Sequence, residues 1–400
     1  MRSVKSFRPL LALAALLLGV TAACAPRSLP PQGTQTPVPS TQPKADIDTS
    51  RPVKVALLVP VKSSDQEAAS LARSIADAAR IAETESGAGA IQLMVYETSG
   101  DVTSVRTAAE RAVSEGAGLI LGPLFSASTR AVAPVAVRTG LKIISFSTDS
   151  AVAGDPVYLS GFMPEAETAR ILDYAARQGI NSVAVYYPDS RFGDAALNGA
   201  RKAAAATTMA LVASASYPRS FEGIQGTAEG FAEAALGAGA ESILLPEGGQ
   251  GLQTVAAFTS YYGISPGEVK YLGLGQWNSS ATFGDPALQG GWFPAPDPQA
   301  VQAFLWRYET NYGARPNMLA VLGYDAVKVA IELVRDARVS GRADPFDREA
   351  LTRPQGFRGA LGPLRFRTDG YGERALAILE VGTGTFSIVE QAPLSFGPGT

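Results

Sequence analysis

The sequence predicts an α/β protein built as two parallel-sheet lobes facing each other across a cleft. Three observations carry this. Short apolar strand segments alternate with amphipathic helical segments, and this βα pattern runs twice, over residues 51–150 and 180–275. The chain has 400 residues, more than one ordinary domain of ~100–200 residues. Strict alternation implies βαβ crossovers, with helices covering both faces of a parallel sheet. Open sheets of this kind take ligands at the carboxyl ends of their strands, so two of them enclose a cleft.

The elements follow in order. Val53–Val59 (VKVALLV) is apolar but for Lys54 and ends at Pro60, the pattern of a short buried strand. Gln66 to Glu85 carries Leu71, Ile75, Ala78, Ala79 and Ala82 on one helical stripe. Strands are expected at 91–96, 117–121, 142–146, 182–187, 211–216 and 242–245. Helices are expected at 103–114, 128–139, 165–177, 194–206, 222–236 and 251–261. Two longer helices follow at about 298–312 and 318–338. The tail turns to hairpin-like β structure at 364–367 and 376–381, with Asp369-Gly370 as turn material.

The amino-terminal segment reads as an address. Arg2, Lys5 and Arg8 precede an apolar run from Leu10 to Val20, closed by the small residues Thr21-Ala22-Ala23 and then Cys24. This is the layout of a secretory signal peptide over residues 1–23, with an apolar run shorter than the ~20 residues of a membrane span. The single cysteine of the chain, placed after small residues, resembles a bacterial lipobox, although Thr21 stands where Leu is commoner. That resemblance implies acylation of Cys24 as the mature amino terminus, and Ala25 in place of Asp implies the outer rather than the inner membrane. Cleavage removes three of the 34 Lys+Arg, leaving 31 against 37 Asp+Glu, a net charge of −6. Residues 25–50 contain 16 Pro, Ser, Thr or Gln among 26, too few apolar groups to offset the entropy of ordering. With Cys24 they are expected to form a tether, 24–50, at ~3 Å per residue where polyproline-like.

Composition narrows the chemistry. With no histidine, the commonest general base and the commonest metal ligand are both missing. With one cysteine, structural disulfides and iron–sulfur clusters are ruled out. The net charge of −3 lacks the basic surplus of a nucleic-acid binder. No enzyme, cofactor or metal site is expected. Gly273-Leu274-Gly275 begins like a dinucleotide fingerprint, but Asn278 stands where the third glycine belongs. Gly248-Gly249-Gln250-Gly251 lacks the Lys-Ser/Thr of a phosphate loop. Asp194 and Glu222 have no sequence reason to converge. Trp277, Trp292 and Trp306 read as core or cleft-rim aromatics rather than a carbohydrate platform.

Several stretches taken together resemble the type I periplasmic solute-binding proteins of the leucine/isoleucine/valine class. Leu119–Thr129 (LILGPLFSAST) is similar to that family's first ligand loop, Ile143–Asp149 (IISFSTD) to the second, and Tyr187–Gly193 (YPDSRFG) to the entry loop of the second lobe. Pro246-Glu247 stands where the family often places an acid, and Gly323-Tyr324-Asp325-Ala326 resembles a helix packing behind the cleft. The resemblance covers nearly all of 51–400. It implies three crossings between lobes, with lobe one about 51–160 plus 276–350 and lobe two about 161–275 plus 351–400. It also implies a non-enzymatic partner of an ABC permease in amino acid uptake. A second resemblance is to lipoproteins of the same fold that activate penicillin-binding proteins. It rests on Gly122-Pro123-Leu124, Tyr158–Arg170 and Gln355–Leu379. That branch carries an amino-terminal helical-repeat domain where this chain has its tether.

An amino acid ligand requires two kinds of partner. Its carboxylate suits hydroxyls and a helix amino terminus, for which Ser126, Ser128, Ser147 and Thr148 are the candidates. Ser126 and Ser128 serve equally as plain helix caps, and Ser147 and Thr148 as turn residues. The ammonium group requires a carboxylate, for which Glu247 is the candidate, with Asp149 and Asp189 behind it. Phe192 offers an apolar wall, where the amino-acid binders often carry Tyr.

Overall fold

The computed structural model describes residues 46–397. Cys24, the signal segment and the tether up to residue 45 lie outside the described residues. The first βα series runs β1 Val53–Val59, α1 Gln66–Ser86, β2 Ile91–Glu97, α2 Val102–Ser114, β3 Leu119–Leu121, α3 Ser126–Thr139, β4 Lys142–Ser145 and β5 Val157–Leu159. The second runs α4 Pro164–Arg177, β6 Ser182–Pro188, α5 Arg191–Ala206, β7 Ala210–Tyr217, α6 Phe221–Gly237, β8 Ser242–Leu244, α7 Gly249–Tyr261 and β9 Lys270–Leu272. Then come α8 Ser280–Phe283, β10 Trp292–Ala295, α9 Pro298–Tyr312, α10 Val321–Ser340 and α11 Arg348–Leu351. The chain closes with β11 Phe357–Gly359, β12 Gly362–Phe366, β13 Gly372–Arg374, β14 Ala377–Gly382 and β15 Thr385–Glu390.

The first sheet is wholly parallel, in the order β2-β1-β3-β4-β5. The second has the order β15-β14-β10-β9-β8-β6-β7. It is parallel from β10 to β7, with β14 and β15 antiparallel at one edge. Both are doubly wound: β1 has β2 on one side and β3 on the other, and β6 has β7 on one side and β8 on the other. A crevice opens at such a switch point, at the carboxyl ends of the strands. Each lobe therefore directs one βα loop pair at the cleft: the loops after β1 and β3, and those after β6 and β8.

Burial explains why these segments fold as they do. Val55 to Val59 is buried without interruption, each such aliphatic side chain contributing ~1.5–3 kcal/mol. Helix α1 is started by Asp65, whose carboxylate accepts the N–H groups of Glu67 and Ala68. Its buried face of Ala72, Ile75, Ala76, Ala79 and Ala82 lies against α10. Close approach there needs Gly323, where an added Cβ would stand 2.1 Å from the Ile75 carbonyl oxygen.

Three expectations about boundaries are corrected. Strand β10, expected in lobe one, lies between β9 and β14 in the second sheet, and its Phe293 and Ala295 complete that lobe's core. Residues 357–374, expected in lobe two, form a small antiparallel sheet whose Phe357, Leu364 and Phe366 pack into the first lobe's core. The ordered fold begins before residue 51: Ile47 donates its N–H to the Ala343 carbonyl at 3.1 Å and packs on the first core. The chain passes between lobes after β5, after β10 and after β13.

The passages are tied together by a buried ion pair. Arg374, at the end of β13, reaches Asp325 of α10 at 2.6 Å. Through Nη2 and Nε the same guanidinium donates to the Ser160 carbonyl, just past β5, at 2.9 and 3.2 Å. The other Asp325 oxygen accepts the N–H of Ala360 at 2.7 Å.

Candidate functional site

The helices opening on the cleft differ in how they treat their first N–H groups. Four cap themselves with a side chain: α1 with Asp65, α2 with Asp101, α5 with Ser190 and α6 with Ser220. Helices α3 and α7 carry no side-chain cap, and neither does α4. α3 and α7 are the helices that follow β3 and β8, beside the two switch points. A helix start left open presents donor groups and partial positive charge to whatever lies before it.

The loop before α3 is built rigidly. Gly122 has φ +79°, and a Cβ there would meet the Leu58 carbonyl oxygen at 2.4 Å, so only glycine fits. Thr129, Ser145, Ser147 and Ser160 brace the loops after β3, β4 and β5. Thr129 and Ser145 hydroxyls stand 2.8 Å apart, and Ser145 Oγ donates to the Pro123 carbonyl at 3.2 Å and accepts the Ser147 N–H at 3.2 Å.

The expected carboxylate partners separate into two groups. Ser126 is the first residue of α3, half-buried, and its hydroxyl has no partner among the described residues. It is not the cap, because the cap position falls on Phe125. Ser128 is buried and donates to the Gly100 carbonyl at 2.8 Å, binding α3 to the loop after β2. Ser147 is also buried, and its Oγ accepts the Asp149 N–H at 3.1 Å in a turn. Thr148 is exposed beside Gly161. Ser126 and Thr148 are thus presented outward, whereas Ser128 and Ser147 hold the loops in shape.

Glu247 lies where expected, after β8, but its carboxylate is occupied. Arg219 donates to both oxygens, at 2.7 and 3.1 Å, Tyr217 Oη donates at 3.3 Å, and the Gly248 N–H donates at 3.0 Å. The carboxylate is almost wholly buried while Arg219 remains more than half exposed. What this end of the lobe shows to the cleft is therefore the arginine. Burial, and then the negative charge of Glu247, push the Tyr217 hydroxyl well above its ordinary range. Phe192, the second residue of α5, is half-buried against the second lobe's core.

Two acids near the cleft take partners that the sequence does not specify. Asp149 accepts Arg130 of its own lobe at 2.7 Å and Arg191 of the other lobe at 2.6 Å. Burial alone would raise its carboxyl, but the Ala151 N–H and the two guanidiniums outweigh that and hold it below the usual carboxylate range. Glu167, in the first turn of α4, is buried and accepts the Gly275 N–H at 2.9 Å. Gly275 and Gln276 follow β9, and an added Cβ on Gly248 would stand 2.9 Å from Gln276 Cβ, so the turn holding Glu167 abuts the Glu247 loop. Of the three tryptophans, Trp277 is core and Trp292 packs edge-on against Tyr174. Trp306, on α9, is exposed and does not belong to the core.

The architecture and the sequence now point the same way. The sequence profile of the periplasmic binding protein family matches residues 52–385. The chain belongs to that family. Solved structures of solute-binding proteins, branched-chain amino acid binders among them, share its fold. A branched-chain amino acid ABC transporter periplasmic ligand-binding protein of Burkholderia xenovorans has a TM-score of 0.64 at 16% identity, over 86% of this chain and 96% of that one. An ABC transporter substrate-binding protein of Desulfitobacterium hafniense in complex with Leu gives 0.62 at 18% identity, over 84% and 99%. A solute-binding protein of Rhodopseudomonas palustris in complex with 3,4-dihydroxybenzoic acid gives 0.60 at 19% identity, over 87% and 99%. At such identities the likeness is one of fold, and ligand choice rests with the residues of each site. No curated protein matches the chain in sequence. Among the described residues no cluster of His, Cys, Asp or Glu is placed to hold a metal ion, and no helix is long and apolar enough to cross a membrane.

Proposed function

We propose that this periplasmic binding protein is a lipid-anchored extracytoplasmic receptor that closes its two lobes on a small amino-acid-like carboxylate and delivers it to an ABC permease. The observation that carries the ligand class is the uncapped start of α3 with the free Ser126 hydroxyl beside it. Helix N–H groups and a hydroxyl are the donors a carboxylate takes. Arg219, exposed over Glu247, and Thr148 add donors from either side. Closure is a hinge motion about the three passages, driven by ligand contacts made to both lobes at once. The anchor is Cys24, acylated after removal of residues 1–23. The Pro/Ser/Thr/Gln-rich segment holds the folded region off the membrane, which Ala25 makes the outer one.

Thermal-shift screening of the purified protein against the L-amino acids and small organic acids tests this reading. Stabilisation by at least one carboxylate is expected, weakened about tenfold in Ser126→Ala, the loss of one hydrogen bond to a charged group. Labelling with radioactive palmitate, lost in Cys24→Ser, together with globomycin-sensitive cleavage of the labelled precursor, tests the anchor. Absence of any binding, together with capture of a penicillin-binding protein, would overturn the reading in favour of the activator lipoproteins.

A further inference from the structure

The two acids at the cleft end of lobe two are in opposite states. Glu247 is neutralised by Arg219 and accepts four donors. Glu167 is equally buried, yet it forms no ion pair among the described residues and accepts one backbone N–H, from Gly275, on Oε2. No cation among the described residues compensates its charge. Glu165, on the same helix, is bonded to the Tyr371 hydroxyl at 3.0 Å, and that hydroxyl also accepts the Ala166 N–H at 3.2 Å. Arg170, one turn along, is directed away to the Leu376 carbonyl and to Glu390. The groups facing Glu167 are thus anionic or neutral. Burial pushes its carboxyl up to about 7, against the opposing effect of the Gly275 N–H.

A buried carboxyl without a cation is costly unless it is protonated or awaits a positive partner. The position of Glu167 favours the second. Helix α4 starts directly after the first passage between lobes, and Gly275 directly follows β9 on the cleft side of the sheet. The turn it holds touches Gly248 through Gln276, so Glu167 and Glu247 flank one turn. We infer that Glu167, not Glu247, receives the ammonium group of the solute, the ligand itself supplying the cation this carboxylate lacks. The inference rests on the solute-binding reading above. It also gives Glu247 a different task, which is to hold Arg219 at the cleft.

Glu167→Gln is the discriminating variant, because the amide oxygen still accepts the Gly275 N–H while the charge is gone. Calorimetry on the full-length protein would use the L-amino acids and, for each that binds, its deamino acid (4-methylpentanoate for L-leucine). The wild type is expected to bind the amino acid at least tenfold more tightly than the deamino acid. In Glu167→Gln the amino acid weakens at least tenfold, the deamino acid changes less than threefold, and thermal stability is unchanged or higher. A merely structural role would lower stability and both affinities together. Retained amino acid affinity in Glu167→Gln would overturn the assignment, as would a wild type that binds deamino acids as tightly as amino acids. In either case the solute-binding reading stands. A wild type that binds neither class removes that reading and this one together.

Discussion

Asp149 Oδ2 and Arg191 Nη1 stand 2.6 Å apart, joining the loop after β4 in one lobe to the first turn of α5 in the other. The same carboxylate oxygen is held by Arg130 at 2.7 Å within its own lobe. One acid, oriented by a local arginine, thus forms a direct ion pair between the lobes on the cleft side.

Arg191 is largely exposed, so this latch is worth only ~0–1 kcal/mol. Arg191→Ala is expected to leave thermal stability within about 2 °C. It should nevertheless shift the ligand-free ensemble toward the open form, visible as a larger radius of gyration by small-angle scattering. An identical scattering profile would show that the pair has no say in closure.

The pair Arg374–Asp325 is different because both groups are buried. Arg374→Met leaves Asp325 with the Ala360 N–H alone and the Ser160 carbonyl without its donors. Loss of one partner of a buried pair costs ~3–5 kcal/mol. Urea unfolding should report a loss of that size; a change below 1 kcal/mol would mean that the passages between lobes are held by packing alone.

Gly323→Ala drives a methyl into the Ile75 carbonyl oxygen, backbone against backbone. Helices α1 and α10 must separate, at ~1–3 kcal/mol or more. The expected readout is a lower denaturation midpoint at an unchanged m-value.

Glu167 makes stability depend on pH. Its carboxyl is at about 7 in the fold against an ordinary 4.5 when unfolded. Between those values the unfolded chain has released the proton and the folded one keeps it, so stability falls as pH rises. The contribution is fully present below pH ~4.5 and is lost through pH ~7, a difference of ~3 kcal/mol. Unfolding curves of wild type and Glu167→Gln should therefore diverge from pH 5 to pH 8, with the wild type losing ground. Parallel curves would refute the shift.

What was legible in the sequence had short range. The apolar run of β1, the stripe of α1 and the alternation through β8 are written in neighbouring residues. β5 and β9, absent from the expected strands, are defined by pairing, β5 with β4 and β9 with β8 and β10. The site was half legible. Ser126 and Glu247 could be placed at loops after β3 and β8. That Arg219 already satisfies Glu247 could not be read, because nothing in a 28-residue separation specifies an approach. Glu167 was invisible for the same reason, its Gly275 partner being 108 residues away.

The sequence by itself determined the α/β class, the order of most elements and the absence of histidine chemistry, because composition and period are local properties. The tertiary structure alone decided which lobe owns β10 and residues 357–374, and which acids at the cleft are neutralised. Those depend on which side chains share a buried volume, and burial sets both the strand's partner and the cost of leaving Glu167 without a cation.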